Sequence, residues 1–348
     1  MKYSYRIALF FLIAVLIVGV SLLKVRHAVQ SGSGKDPLVR QIPVMGTFAE
    51  IKLYGNPETA NSAALLIQDK FQEVEKNLSI FDPKSEASMM NSTAYEKPFK
   101  CSGMLWEIIR KSRHFYELSD HGFDVSAGPL MELWGFYKKT EKLPDQAEID
   151  KTLARTGLDK VIFDDEARTV RFTVPGMRLD FGGIAKGYAV DLAAESAKSA
   201  GIKSGIINLG GNLYCFGEPP PGKTKYTVGI RNPFNVEDIC GTVEIIGRSV
   251  STSGNYEKYV VIEGRRFTHI MNPKTGLPVE GMIAVSIITD SACDADALST
   301  SFFVKGKSIL ENVVSEFPGI QILMIGGDAK ENAKVDKIGT VWPEKLEF

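Results

Sequence analysis

The spacing of apolar and polar residues predicts strands in both halves of the chain. Residues 48–55 (FAEIKLYG) alternate as a strand does, and Gly55-Asn56-Pro57 is expected to end it. Residues 160–176 are predicted to form a hairpin with its turn at 164–167, and residues 205–217 a strand interrupted by a glycine turn. More strand patterns lie toward the C-terminus: KYTVGIRNP, GTVEIIGRSVSTSG, KYVVIEGRRFTHIMNP, MIAVSIITD and, as the last predicted strand, IQILMIGG.

Helical spacing of apolar residues separates these strands. The stretches predicted to be helical are 61–79, 103–120, 147–157, 183–201, 296–305 and 308–316. Asn61 is the predicted N-cap of the first helix, because its side-chain oxygen can accept hydrogen bonds from free backbone amides. Helices and hairpin-linked strands intermix without a steady βαβ rhythm. This pattern favours an α+β fold over a doubly wound parallel sheet.

Residues 7–23 (IALFFLIAVLIVGVSLL) form an unbroken apolar run with lysine and arginine on both sides. Seventeen residues is short for a membrane-spanning helix and slightly long for the core of a signal peptide. No cysteine follows directly and no clear small-x-small cleavage site is present. The run therefore favours an uncleaved signal anchor, with a cleaved signal peptide as the alternative. A buried core helix is disfavoured because every face of the run is apolar.

These features divide the chain into three parts. Residues 1–28 are predicted to be the signal anchor or signal peptide, and residues 29–40 have the composition of a flexible linker. Residues 41–348 are expected to form the folded domain on the extracytoplasmic or periplasmic side of the cell membrane.

Charge and cysteine content exclude several classes of function. The formal net charge of −1 argues against a general affinity for nucleic acid, which requires a clustered basic surface. The four cysteines lie far apart and form no CxxC pair, so a cysteine-based zinc or iron–sulfur site is disfavoured. A disulfide framework is disfavoured in a chain of this length.

Residues 178–191 (RLDFGGIAKGYAVD) suggest an anion site. The pattern predicts a strand that ends at Asp180, a double-glycine turn and a helix with Lys186 in its first turn. Glycine lets backbone approach a ligand closely, and the free amides at a helix start can bind phosphate. The alternative is a tight turn with an exposed lysine. Neither GxxxxGK[ST] nor GxGxxG is present, so those two nucleotide folds are not indicated.

Two further polar residues stand out beside apolar neighbours. Asp124 lies between Phe123 and Val125, so it should be partly buried and need hydrogen-bond donors or a ligand. A turn aspartate that caps its own backbone is the alternative. His269 follows a predicted strand and precedes an Asn-Pro-Lys-Thr-Gly turn, although a lone histidine on a strand is more often structural than catalytic.

The stretch DADALST raises the question of a metal site. Asp296 and Thr300 are four residues apart, so on a helix their side chains share one face. A carboxylate and a hydroxyl there could bind one hard cation such as Mg²⁺. Local chemistry alone favours the alternative, an acidic helix start that serves capping and the helix dipole. Asp294 is the predicted cap.

Eight stretches, taken in order, resemble the ApbE family, the FAD:protein FMN transferases. The similarity runs from about Pro43 to the C-terminal helices. It implies an ApbE-like fold with mixed or antiparallel sheets flanked by helices, preceded here by one N-terminal anchor helix. The stretches are PVMGTFAEI, SIFDPKSEASMMN, GFDVSAGPLMELWGF, LDFGGIAKGYAVD, INLGGN, STSGNYEKY, THIMNPKTGLP and DADALSTSFFV.

The resemblance implies an enzyme that binds FAD and Mg²⁺ and transfers FMN to a threonine hydroxyl of a partner protein, leaving AMP. Flavin-carrying subunits of respiratory complexes are the implied acceptors. Two alternatives remain: an FAD pyrophosphatase that gives FMN and AMP, and an exported protein that binds FAD without turnover. Mn²⁺ accepts ligands similar to those of Mg²⁺. Family members are extracytoplasmic and anchored or lipidated, in agreement with residues 7–23.

The resemblance also implies roles for individual residues. Asp296 and Thr300 are the implied side-chain ligands of Mg²⁺, with a backbone oxygen from Gly183 and a further contribution from Ser299. His269 is the implied general base. The implied FAD contacts are Met45, Phe81, Gly122, Phe123, Asp124, Asp180, Lys186 and Ile270. Of these, Phe81 and Phe123 suit a flat ring system and an ordinary core equally well.

The sequence departs from the family pattern at two positions near the implied site. Asn272 and Asn212 stand where the family usually has aspartate. Both changes remove a negative charge but keep hydrogen-bonding capacity, and neither affects an implied metal ligand. They bear on substrate choice and on the balance between transfer and hydrolysis.

Overall fold

A computed structural model describes residues 36–140, 142–220 and 222–348. The predicted anchor and its apolar run at 7–23 lie outside the described residues. Among the residues described, no helix is both long enough and apolar enough to span a bilayer.

Seventeen strands occur in the described part of the chain. In chain order they are β1 (Leu38–Val44), β2 (Thr47–Tyr54), β3 (Phe99–Lys100), β4 (Val161–Asp164), β5 (Thr169–Phe172), β6 (Ser204–Leu209), β7 (Asn212–Phe216), β8 (Tyr226–Arg231), β9 (Ile239–Ile245), β10 (Arg248–Gly254), β11 (Tyr259–Ile262), β12 (Arg265–Thr268), β13 (Met271–Asn272), β14 (Leu277–Pro278), β15 (Met282–Thr289), β16 (Gln321–Gly326) and β17 (Lys334–Ile338).

Eight α-helices accompany these strands in the same described residues. They are α1 (Pro57–Leu78), α2 (Glu86–Thr93), α3 (Gly103–Leu118), α4 (Gly128–Leu133), α5 (Gln146–Leu153), α6 (Ala185–Ser199), α7 (Ala292–Lys305) and α8 (Leu310–Glu316).

Eight strands form one central sheet, in the order β1-β2-β6-β7-β10-β15-β16-β17. Each neighbouring pair in this sheet is antiparallel. The smaller sheets, β3-β5-β4, β8-β9, β11-β12 and β13-β14, are antiparallel as well. The predicted α+β class, with antiparallel sheets flanked by helices, is therefore confirmed.

Helices α1, α6 and α7 cover one face of the central sheet and form the main core with it. Ile51 of β2, Phe71 of α1 and Leu298 of α7 are fully buried in this core. A second cluster on the opposite face includes Tyr226 of β8 and Trp342 near the C-terminus. Helix α7 lies directly against β10 and β15, so its sheet-facing residues are inaccessible to solvent.

A third, smaller cluster joins α4 and α5 to the β11–β12 and β13–β14 hairpins. The Trp134 indole donates a hydrogen bond to the Gly276 carbonyl oxygen at 2.8 Å. Its ring lies 5.1 Å from that of Phe267. This cluster fixes the segment between β12 and β13, which carries His269.

Helices α1 and α7 each begin four residues earlier than the sequence predicts. Helix α1 starts at Pro57 with Asn56 as its N-cap, whereas Asn61 donates from its amide to the Pro57 carbonyl inside the helix. The prediction assigned Asn56-Pro57 only to the end of a strand, although proline suits the first helical turn. Helix α7 starts at Ala292 with Ser291 as its N-cap, so the prediction that Asp294 is the cap is wrong.

Three other predictions need correction. The predicted linker 29–40 overlaps β1, which begins at Leu38, and β17 follows the strand that was expected to be the last. No strand ends at Asp180. Instead, the backbone of Leu179 pairs with the Asn91 side chain at 2.8 and 2.9 Å, and the Asp180 amide donates to Val125 at 2.7 Å. The backbone groups of Leu179 and Asp180 are therefore hydrogen-bonded to a side chain and to a loop, and not to a neighbouring strand.

Candidate active site

The site is built where α6 and α7 approach each other at backbone distance. A Cβ on Gly187 of α6 would lie 2.1 Å from the Ala292 carbonyl oxygen and 2.8 Å from Asp296 Cβ. The Gly187 amide donates to Asp296 Oδ2 at 3.0 Å. Only glycine at position 187 permits the two helices to approach this closely, because glycine has no side chain. Asp296 is thereby held against the first turn of α6.

We expect Gly187→Ala to lower the free energy of unfolding by about 1–3 kcal/mol, because the added methyl group would force the two helices apart. Urea denaturation measures the change. Gly103→Ala is the matched control, since no atom lies within 4 Å of a Cβ at the start of α3. The control should be neutral or slightly stabilising. Equal stability of Gly187→Ala and the unmodified protein would contradict the backbone contact.

Asp296 is 4% exposed. Burial raises the pKa of its carboxyl group, whereas Lys186, the Gly187 amide and the Asn212 side chain act in the opposite direction. The Lys186 ammonium lies 3.8 Å from Asp296 Oδ1 and donates to the Gly182 carbonyl at 3.0 Å. The prediction that Lys186 lies in the first turn of a helix is confirmed.

Gly183 and Thr300 meet at the same place. A Cβ on Gly183 would lie 3.4 Å from Thr300 Oγ1 and 3.2 Å from the Phe123 ring. The double-glycine turn, α7 and the loop after α3 therefore converge. Thr300 lies one helical turn from Asp296 in α7, as the spacing predicts.

The donors gathered here suit a hard divalent cation. Asp296 offers a carboxylate, Thr300 a hydroxyl and Gly183 a carbonyl oxygen, and oxygen ligands of this kind are those Mg²⁺ prefers. In the described ranges, no group of three or more histidine, cysteine or acidic side chains could hold a metal. A site with few protein ligands leaves coordination positions for water and phosphate oxygens. The residues present therefore fit Mg²⁺.

Ser299, the other implied ligand, faces the sheet. Its hydroxyl donates to the Asp296 carbonyl oxygen at 2.9 Å and lies 2.8 Å from the Ser253 hydroxyl. The side chain is fully buried. Its oxygen is thus already paired within the protein, and a ligand role for Ser299 stays a prediction.

Asp180 anchors an aromatic wall. Its Oδ1 accepts from the Gly182 amide at 2.8 Å and its Oδ2 accepts from the Tyr137 hydroxyl at 2.5 Å. The Tyr137 ring lies edge-on to Phe81 at 5.6 Å, and the Arg178 guanidinium lies 5.6 Å from its centroid. Burial, together with Asp180, raises the pKa of Tyr137, which keeps its hydroxyl a donor.

The two implied flavin-contact phenylalanines differ in environment. Phe81 is 71% exposed, whereas Phe123 is 2% exposed and packs edge-on to Phe115. The open ring of Phe81 can stack on a planar ligand. Phe123 serves the core while still bordering Gly183.

The loop before Phe123 is closely packed. A Cβ on Gly122 would lie 2.2 Å from Lys305 Cγ, so only glycine fits there without moving that side chain. Asp124 Oδ1 accepts from the Ser126 amide at 2.7 Å, and burial raises the pKa of its carboxyl group. The capping alternative for Asp124 is therefore realised. A contact between Asp124 and FAD stays a prediction.

His269 has a defined tautomer. Its Nδ1 lies 3.0 Å from the Lys258 carbonyl oxygen, which can only accept, so Nδ1 carries the hydrogen and Nε2 has a free lone pair. Burial and the positive charges of Lys258 and Lys186 lower the pKa of His269 to about 4. The ring is therefore neutral at pH 7 and able to take a proton. Ile270, which follows it, is buried.

Met45 lies in the β1–β2 turn with a positive φ of 51°. Its amide donates to Glu75 Oε1 of α1 at 3.0 Å. In the described residues, the hydrogen bonds of Met45 thus join it to α1 and not to α7. The structure brings Asp296, Thr300, Gly183 and Lys186 together. Met45 is instead hydrogen-bonded to Glu75 of α1.

Sequence reasoning missed three residues of the site. Tyr137 directly follows the quoted stretch GFDVSAGPLMELWGF. Glu257 and Lys258 lie within the quoted stretch STSGNYEKY. Burial raises the pKa of Glu257. The positive charge of Lys186 lowers this pKa, and the negative charge of Asp296 raises it. The family resemblance drew attention to both stretches. No local pattern distinguished Tyr137, Glu257 or Lys258 from their neighbours.

Comparisons with known proteins agree with this architecture. The model of the ApbE family matches residues 45–324. An FAD:protein FMN transferase from Klebsiella pneumoniae is 31% identical over 265 residues, or 76% of this chain and 81% of the relative. The crystal structure of the ApbE protein from Thermotoga maritima has a TM-score of 0.78 at 31% identity, covering 86% of this chain and 96% of that one.

The flavin transferase ApbE from Vibrio cholerae has a TM-score of 0.77 at 26% identity, covering 87% of this chain and 97% of that one. The sequence match spans most of the described residues, and the structural matches span nearly all of the related chains. This chain belongs to the ApbE family.

Proposed function

We propose that this protein is a Mg²⁺-dependent FAD:protein FMN transferase that moves FMN from FAD to a threonine hydroxyl of a partner flavoprotein and releases AMP. Membership of the ApbE family and the names of its relatives support flavin transfer. One observation carries the rest: buried Asp296 shares a helix face with Thr300 beside the double-glycine turn and Lys186. That arrangement suits a cation bound to a pyrophosphate.

Phosphoryl transfer requires alignment and charge neutralisation more than covalent help from the protein. Asp296, Thr300 and the Gly183 carbonyl would hold Mg²⁺, which when bound neutralises phosphate charge. Lys186 adds a positive charge in the first turn of α6, 3.8 Å from Asp296. The amides of the Gly182-Gly183 turn can donate to phosphate oxygens.

His269 acts as the general base. Its neutral ring accepts the threonine proton at Nε2 as the threonine oxygen bonds to the phosphorus of FMN. The bond from that phosphorus to the bridging oxygen breaks, and AMP leaves with the oxygen. Lys258 and Lys186 favour the neutral ring before the proton arrives. Phe81 provides an exposed ring against which the flavin can pack.

The acceptor and the location follow from the resemblance and the N-terminal run. The acceptor is a threonine-bearing flavin subunit of a respiratory complex on the extracytoplasmic side of the membrane. Residues 7–23 anchor the chain there, and the transferase domain begins with β1 at Leu38. Alkaline carbonate extraction tests the anchor, because a version lacking residues 1–35 should leave the membrane fraction and the full chain should remain in it.

One assay separates this function from its alternatives. The protein is incubated with FAD and Mg²⁺, with and without an acceptor domain, and AMP is measured. A transferase releases AMP in proportion to the flavin attached to the acceptor. AMP formed equally without acceptor, and with no attached flavin, would indicate a pyrophosphatase instead. FAD binding without AMP in either condition would indicate a binding protein.

A further inference from the structure

A group of buried hydroxyls lies between β10 and α7, behind Asp296 and Thr300. Ser253 of β10 lies 2.8 Å from Ser299 and 3.4 Å from Thr300, measured between hydroxyl oxygens. Ser251, two residues earlier on the same face of β10, donates to Asn212 Oδ1 at 2.6 Å. These serines and Asn212 are all buried, so the direction of each hydrogen bond is set by the protein.

The hydrogens of this group can be assigned by counting, because each hydroxyl has one. The Ser299 hydrogen goes to the Asp296 carbonyl oxygen, which can only accept. The bond between Ser299 and Ser253 must therefore be donated by Ser253. Ser253 then has no hydrogen left for Thr300. Their contact is a hydrogen bond only if Thr300 is the donor.

A helical threonine ordinarily donates to the carbonyl four residues earlier, here that of Asp296. Ser299 already donates to that oxygen at 2.9 Å. With its hydrogen directed to Ser253 instead, Thr300 keeps its lone pairs free. A Cβ of Gly183 would lie 3.4 Å from the same Thr300 Oγ1.

We propose that Ser253 is a positioning residue that accepts the Thr300 hydrogen and thereby turns the Thr300 oxygen toward a divalent cation. This inference rests on the cation site of the proposed function. A hydroxyl binds a cation through a lone pair, so its rotation decides whether it is a ligand. Partners that orient metal ligands typically change metal affinity about 10–100-fold when removed.

The test uses the full-length protein and Mn²⁺ alone, with free Mn²⁺ measured by electron paramagnetic resonance. Ser253→Ala should bind Mn²⁺ about tenfold more weakly than the unmodified protein. The Mg²⁺ concentration for half-maximal AMP release should rise by a similar factor, whereas the rate at saturating Mg²⁺ should change less. Ser253→Thr keeps a hydroxyl acceptor and should restore the affinity.

Ser249→Ala is the matched control, because Ser249 lies on the same face of β10 and its buried hydroxyl has no hydrogen-bond partner. It should bind Mn²⁺ as the unmodified protein does. Should Ser253→Ala not fold, Ser253→Cys, whose thiol is a weak acceptor, should show the same loss.

Two outcomes overturn the inference in different ways. Equal Mn²⁺ affinity of the unmodified protein and a folded Ser253→Ala or Ser253→Cys variant would overturn the role of Ser253 alone. Absence of Mn²⁺ binding in the unmodified protein, with AMP release that needs no divalent cation, would overturn the cation site itself. The proposed function would then fall together with the inference.

Discussion

Asp296→Asn should reduce AMP release from FAD by more than about 100-fold, because loss of an outer partner of a metal ligand alone typically costs about 10–100-fold. The substitution keeps the shape of the side chain. It also keeps an oxygen that can accept from the Gly187 amide, which lies 3.0 Å from Oδ2 in the unmodified protein. It removes a buried charge, whose burial is costly, but also the partner of the Lys186 ammonium, which keeps its hydrogen bond to the Gly182 carbonyl. Because these two effects oppose each other, the melting temperature should change little while turnover is lost. Turnover and thermal unfolding are measured on the same preparation.

Asp294→Asn is the matched control for this variant. Asp294 lies in the same helix, and its carboxylate lies 3.7 Å from the Lys111 ammonium. Its loss should leave turnover close to that of the unmodified protein. If Asp296→Asn instead lowers the melting temperature by several degrees and keeps normal turnover, the carboxylate serves the helix and not a cation.

His269→Ala should slow FMN transfer by about 10²–10⁴-fold, the usual range for loss of a general base, with little change in FAD affinity. The pKa of His269 is about 4, so the ring is neutral and active above that value and loses activity as the pH falls through it. A plot of kcat/KM against pH should show this acid limb in the unmodified protein. The limb should be absent in the variant.

The control is His114→Ala, since the His114 ring pairs with Glu316 of α8 at 2.6 Å and takes no part in the proposed reaction. Its transfer rate should remain normal. Near-normal transfer by His269→Ala, or an unchanged acid limb in that variant, would remove His269 from the mechanism.

The local pattern predicted the parts of the site that depend on short-range spacing. Asp296 and Thr300 share a helix face because they are four residues apart, and Lys186 follows a double glycine at a helix start. Local chemistry alone nevertheless favoured a simple acidic helix start at DADALST. The order of eight stretches along the chain, and not the chemistry of any one, indicated a metal site.

The start of α7 shows why local reasoning chose the wrong cap. Asp191 of α6 accepts from the Ser291 hydroxyl at 2.7 Å and from the amides of Ala292 and Cys293 at 2.8 and 3.0 Å. The start of α7 is thus satisfied by a carboxylate about 100 residues earlier in the chain. Asp294, expected to cap, is free to face Lys111. A contact between residues so far apart in the sequence cannot be predicted from the local pattern.

Long-range packing also explains the missed residues. Tyr137 joins the site because Asp180, 43 residues later, accepts its hydroxyl hydrogen. The tautomer of His269 depends on the carbonyl of Lys258, a partner 11 residues away across a hairpin. Periodicity predicts elements and their faces. It does not predict which loops meet.

Attachment of flavin to the acceptor tests the central claim most directly. The protein, FAD, Mg²⁺ and an acceptor domain are incubated, and the acceptor is examined by in-gel fluorescence and mass spectrometry. The proposed function predicts a fluorescent acceptor heavier by FMN less water, with AMP in equal amount. The signal should be lost with a chelator or when the acceptor threonine is replaced by valine. An acceptor that stays free of covalent flavin, while the protein binds FAD and Mg²⁺, would contradict it.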